Sequence, residues 1–98
     1  MTDNNILSTE QKVHNYIELG KLLLEEGNEE QAERAYKTAV AVAGREVGQD
    51  SGIAGCALTE LWCFYDKLGR EKDADNTWQQ LIAVIRARYV EILNPKFG

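Results

Sequence analysis

The chain has 98 residues, 44% of them hydrophobic and 28% charged, which is enough for one small domain and excludes a second independent core. A single proline and eight glycines exclude a low-complexity or collagen-like chain, and no apolar run approaches the roughly 18–20 residues of a membrane-spanning helix. The net charge of −5 arises wholly within residues 1–50, and the absence of any basic cluster argues against nucleic-acid binding or an anionic membrane surface.

Residues 1–7 are polar and lack the basic and apolar stretches of a secretory leader, so a frayed start in a cytoplasmic protein is expected. Ser8-Thr-Glu-Gln11 is a capping-box pattern that opens a first helix. Val13, Tyr16, Ile17, Gly20, Leu23 and Leu24 follow at helical steps and form its apolar stripe. Gly27 suits the turn after it, Asn28 is the expected cap of the second helix, and Glu29 and Glu30 favour its positive N-terminal end. Glu25, Glu26, Glu29, Glu30 and Glu33 together read as a solvated acidic edge.

The second helix carries Ala32, Ala35, Tyr36, Ala39, Val40 and Ala43, and either Gly44 or Gly48 can end it. Asp50 or Ser51 caps a third helix bearing Ala54, Ala57, Leu58, Leu61, Trp62, Tyr65 and Leu68, closed by Gly69. A fourth runs from Glu71 to Leu93, where Asn94-Pro95 stops it. No segment alternates with strand period, so the expected fold is all-α, four helices in one domain over residues 1–98.

Shifting the chain by 42 residues places Gly27 on Gly69, Ala32 on Ala74, Tyr36 on Trp78 and Leu19 on Leu61, with Val40-Ala-Val on Ile82-Ala-Val. An internal period of this length indicates stacked helical repeats, here residues 8–48 and 50–93 with a tail at 94–98. At Tyr16, Leu19, Gly20, Leu23, Gly27, Ala32, Tyr36 and Ala39 the first copy resembles the tetratricopeptide repeat family, in the longer-repeat form of kinesin light chains and many bacterial arrays. The second copy matches at Leu58, Leu61, Tyr65, Gly69, Ala74 and Trp78. It departs where Trp62 replaces the small residue at Gly20 and Leu81 replaces Ala39. Trp62 therefore either turns outward into an interface or sets an unusual crossing of the second hairpin.

The resemblance implies a short right-handed solenoid of two helix–turn–helix repeats whose first helices line a concave face. That face would present His14, Ile17, Lys21 and Leu24 from the first copy and Cys56, Thr59, Cys63 and Asp66 from the second. The implied function is an adaptor or assembly module that binds a protein or peptide partner there. The lysine- and asparagine-rich clamp of chaperone-binding relatives is not present, since only Lys21 qualifies.

No phosphate loop, zinc motif or nucleophile motif occurs, so neither catalysis, cofactor nor metal is expected. Cys56 and Cys63, seven residues apart, would lie about 10 Å from each other on a helix, too far for a disulfide, and read as small packing residues. On the fourth helix Ala74, Trp78, Leu81, Ile82, Ile85, Tyr89 and Ile92 form the stripe expected to pack on the third. Ala83, Ala87 and Val90 fall on a second, weaker apolar face. With Trp62 they make a candidate homodimer surface, and self-association is the alternative reading of the function.

Overall fold

The computed structural model describes residues 7–93, and the side chains of all but the last three. Four helices follow one another: α1 (Thr9–Glu25), α2 (Glu29–Glu46), α3 (Gly52–Lys67) and α4 (Glu71–Leu93), with no strand among the described residues. The helix boundaries have local causes. The Gln11 N–H donates to Ser8 Oγ at 3.1 Å and the Ser8 N–H donates to Gln11 Oε1 at 3.0 Å, closing the capping box of α1.

The two hairpin turns use one device. Gly27 and Gly69 have φ of +84° and +71°, a conformation that side chains with a Cβ resist. At the first turn the Gly27 and Asn28 N–H groups fold back to the carbonyls of Leu24 and Leu23. At the second, Gly69 and Arg70 do the same to Asp66 and Tyr65. The Asn28 side chain makes no cap bond, contrary to expectation; the residue serves instead through its backbone N–H, which closes α1. Helix α2 passes through Gly44 and stops before Gly48, whose φ is +107°. Ser51, not Asp50, caps α3 by accepting from the Ala54 N–H at 3.0 Å. The expected stop at Asn94-Pro95 and most of the polar start lie outside the described residues.

Helix α1 packs on α2 and α3 on α4, and the α2–α3 contact stacks one hairpin on the other. Ala32, Ala39, Ala43 and Ala57 are wholly buried, so the helices approach closely at side chains that add almost no bulk. Phe64, 2% exposed, fills the space beyond them, its ring centroid 5.0 Å from that of Tyr36. A smaller cluster of Leu58, Leu81 and Val84 joins α3 to α4, and Val40 bridges both clusters.

The hairpins part at Gly20 and its equivalent. A Cβ on Gly20 would lie 2.8 Å from the Tyr36 ring, so the ring fits only because residue 20 is glycine. Trp62 stands in that place in α3. It is half-buried against the core, and Trp78 lies on it with ring centroids 5.8 Å apart. The displaced Trp78 is 43% exposed.

The packing face of α4 agrees with the expected stripe at Ala74 and Leu81 and departs from it elsewhere. Ala74, Thr77, Leu81 and Val84 are buried, whereas Trp78, Ile85 and Tyr89 are exposed and Ile82 is half-exposed. At 100° per residue the buried face is centred about 90° round the helix from the exposed stripe. The apolar arc of α4 is wide enough for two neighbours, and α3 covers one side of it. Ile92 lies outside the described side chains.

Candidate protein-binding groove

The first helices of the two hairpins bound a depression of about 570 Å³, lined by Val13, His14, Ile17 and Lys21 from α1 and by Ile53 and Cys56 from α3. Val13 and Ile17 form part of a buried floor that belongs to the core, while His14 and Cys56 stand exposed on its walls. Glu10, Glu18 and Glu60 stand at its margin. Lys21 contributes one cation, held 3.4 Å from Glu18. The groove therefore combines an apolar floor with an acidic rim. A smaller depression of about 190 Å³ continues along the same helices, lined by Lys21, Leu24, Glu60, Cys63 and Lys67.

Of the side chains expected on the concave face, the structure thus brings His14, Ile17, Lys21, Leu24, Cys56 and Cys63 to these two depressions. Thr59 and Asp66 line neither. Thr59 is exposed and its hydroxyl donates to the Gly55 carbonyl at 2.9 Å. Asp66 borders Trp62 and Ala74 in a shallow depression at the far end of the stack. Glu10, Ile53 and Glu60 complete the groove beyond the residues the sequence points to, and Val13 joins them from the apolar stripe of α1. Glu10 lies four residues from His14, and Ile53 and Glu60 lie three and four from Cys56, spacings that mark the same faces, while Val13 lies four from Ile17 in the floor.

Both cysteines are free and exposed, which corrects their reading as packing residues. The small residues that α3 buries are alanines, and the thiols face the groove instead. Among the described residues no group of three His, Cys, Asp or Glu side chains is placed to hold a metal ion. No helix there is long and apolar enough to cross a membrane.

A polar clasp holds the hairpins, and hence the groove walls, in register. Arg70, in the second turn, donates to Glu33 Oε1 at 2.9 Å and Oε2 at 3.3 Å, and its Nε donates to Asp73 at 3.0 Å. The Tyr65 hydroxyl donates to Glu33 Oε2 at 2.6 Å, with the Arg70 guanidinium 4.9 Å above the Tyr65 ring. The Arg70 bonds hold the Glu33 carboxyl down to about 2, with help from Tyr65, against the partial burial that opposes them. Burial, then the bond to Glu33, pushes the Tyr65 hydroxyl up. Glu33 is thus no part of a purely solvated acidic edge: with its side chain 16% exposed it is the link from α2 to the second hairpin. A second tie works within the first hairpin, where Glu46 accepts from Lys12 at 2.9 Å and Thr9 at 2.7 Å, which lowers its carboxyl.

The remaining candidates lie elsewhere. Ala83 lines a depression of about 510 Å³ between α2 and α4 with Val40, Gly44 and Leu58, and Ala87 and Val90 are exposed further along α4. Trp62 belongs with Trp78 to the open end of the stack. Comparison of the chain with protein families, curated proteins and solved structures finds no match.

Proposed function

We propose that the chain is a small interaction module, similar to tetratricopeptide repeats, that holds a protein or peptide partner in the groove between α1 and α3. The carrying observation is the groove itself, an open trough between the equivalent helices of two duplicated hairpins, with Val13 and Ile17 in its floor. Its chemistry selects the partner. An apolar side chain would displace water from the floor, and Lys or Arg on either flank would meet Glu10, Glu18 and Glu60. Catalysis has no part in this reading, and the expected compartment is the cytoplasm.

Fluorescence anisotropy with labelled peptides tests it. Peptides with one aromatic or branched anchor between basic residues should bind, and binding should weaken as salt rises. Glu18→Lys/Glu60→Lys should weaken it by about tenfold, which corresponds to about 1.4 kcal/mol. Acidic peptides binding as well as basic ones, or groove variants binding like the wild type, would refute the reading.

A further inference from the structure

The 42-residue equivalence says what each helix face should meet. On α2, Tyr36 and Ala43 are buried, and Tyr36 packs on Phe64 of α3. Their equivalents on α4 are Trp78 and Ile85, which are 43% and 45% exposed. With Ile82 and Tyr89 they form a continuous apolar stripe at steps of four, three and four residues, flanked by Trp62. A stripe of this width on a helix of a small domain marks an interaction surface rather than scattered apolar residues.

The opposite end of the stack is built differently. Ile53 and Ala57 of α3 and Leu68 just past its end have Gln11, Asn15 and Glu26 as their equivalents in the first hairpin, leaving Leu19 and Leu22 exposed among polar groups, with Tyr16 and Leu7 beside Leu19. An end helix with a polar outer face is how a repeat stack terminates. A second copy stacked head to tail would set those amide and acid groups against Trp78 and Ile85, so the α1 end is a poor cover for α4.

Helix α4 is its own best cover. Asp75 lies beside the N-terminal half of the stripe and Arg86 beside its C-terminal half, both exposed and both on the same flank, about 60–80° from Trp78. A two-fold axis perpendicular to two antiparallel helices keeps flanks together while reversing their direction. Asp75 of each copy then faces Arg86 of the other, and the helix dipoles oppose. Parallel pairing would align the dipoles and separate these charges. We infer that two copies of this chain pair antiparallel through the stripe Trp78, Ile82, Ile85 and Tyr89 on α4, with Trp62 at its edge. The contact is closed and leaves the α1–α3 groove free, so it stands or falls independently of peptide binding.

The chain has two tryptophans, Trp78 in this surface and Trp62 at its edge, so their emission reports the contact while circular dichroism reports the fold. Light scattering over a dilution series should give twice the 11.0 kDa chain mass at high concentration, with emission shifting to longer wavelength as the dimer dissociates. Ile85→Glu, at an exposed position, should keep its helical circular dichroism and remain a monomer. Asp75→Arg should weaken pairing by about tenfold, and Asp75→Arg/Arg86→Asp should restore it. Leu22→Glu and Ala87→Glu should pair like the wild type. A wild type that stays monomeric, a mass that grows without limit, loss of pairing in Leu22→Glu or Ala87→Glu, or failure of the double charge exchange each overturns the inference.

Discussion

Helices α2 and α4 hold the same place in their hairpins, start two residues after the same kind of glycine turn, and share the Ala-x-x-x-aromatic step. Yet α2 is covered on two sides and α4 on one. In the first hairpin the ring of Tyr36 drops over Gly20 and is buried. In the second, Trp62 fills that space and its partner Trp78 rides outside it. The face each helix turns to its own hairpin partner is nonetheless the same, Ala32, Ala35, Ala39 and Val42 being buried like their equivalents Ala74, Thr77, Leu81 and Val84, so the difference is confined to the places of Tyr36 and Ala43. The comparison teaches that a repeat position is defined by the neighbour it meets, and α4 keeps the repeat's residue types where no described helix covers them.

The sharpest way to test this difference is to remove the two rings. Tyr36→Ala should cost about 3–5 kcal/mol and Trp78→Ala about 1 kcal/mol or less when measured by urea unfolding on the monomeric Ile85→Glu background. Equal losses would break the comparison. Next in size, Gly20→Leu drives a side chain into Tyr36 and should cost about 3 kcal/mol. Ala32→Leu, at a wholly buried alanine, should cost about 1–3 kcal/mol. Wild-type melting temperatures in these variants would mean that the hairpins do not meet at these positions.

A smaller effect separates the turns. The Glu33 carboxyl, held down to about 2 when folded, titrates near its ordinary 4.5 when unfolded. Its contribution is therefore complete above about pH 4.5 and declines as the pH falls toward 2. Glu33→Gln should lower stability by about 1–2 kcal/mol at pH 7, and the gap from wild type should close as the pH approaches 2. A gap that is constant with pH would assign the loss to packing rather than to charge. Smallest of all, Cys56→Ser/Cys63→Ser should change stability by less than about 0.5 kcal/mol, since both thiols are exposed.

Much of the fold is written in short-range signals. The capping box at Ser8, the glycines at 27 and 69 and the period-3.6 stripes specify four helices and two tight hairpins, because each acts over one turn of chain. What a helix face meets is a longer-range matter. The apolar arc of α4 spans Ala74 to Tyr89 widely enough to fit either of two packing directions, and periodicity alone cannot choose between them. Phe64 fills the core between the hairpins, yet its position adds nothing to a stripe that Trp62 and Tyr65 already satisfy on α3. The groove was legible as far as His14, Ile17, Lys21, Leu24, Cys56 and Cys63, because α1 and α3 are equivalent helices and these positions project from equivalent turns. Thr59 and Asp66 fell away since they sit round the helix toward the open end. The Glu33–Arg70 pair joins residues 37 positions apart, and a run of five glutamates conceals which one is held.

The clasp has a mechanical side. The hairpins are joined covalently at one end by residues 47–51 and by the Glu33–Arg70 pair at the other, beside the two glycine turns. A pair of plates fastened along both ends resists twisting, so a guest lying in the trough meets walls already set at their working angle. Acid unfastens one end and leaves the other. Below the titration of Glu33 the angle of the trough rests on the linker and on the apolar contact of α2 with α3, Tyr36 against Phe64, without the polar tie beside the turns.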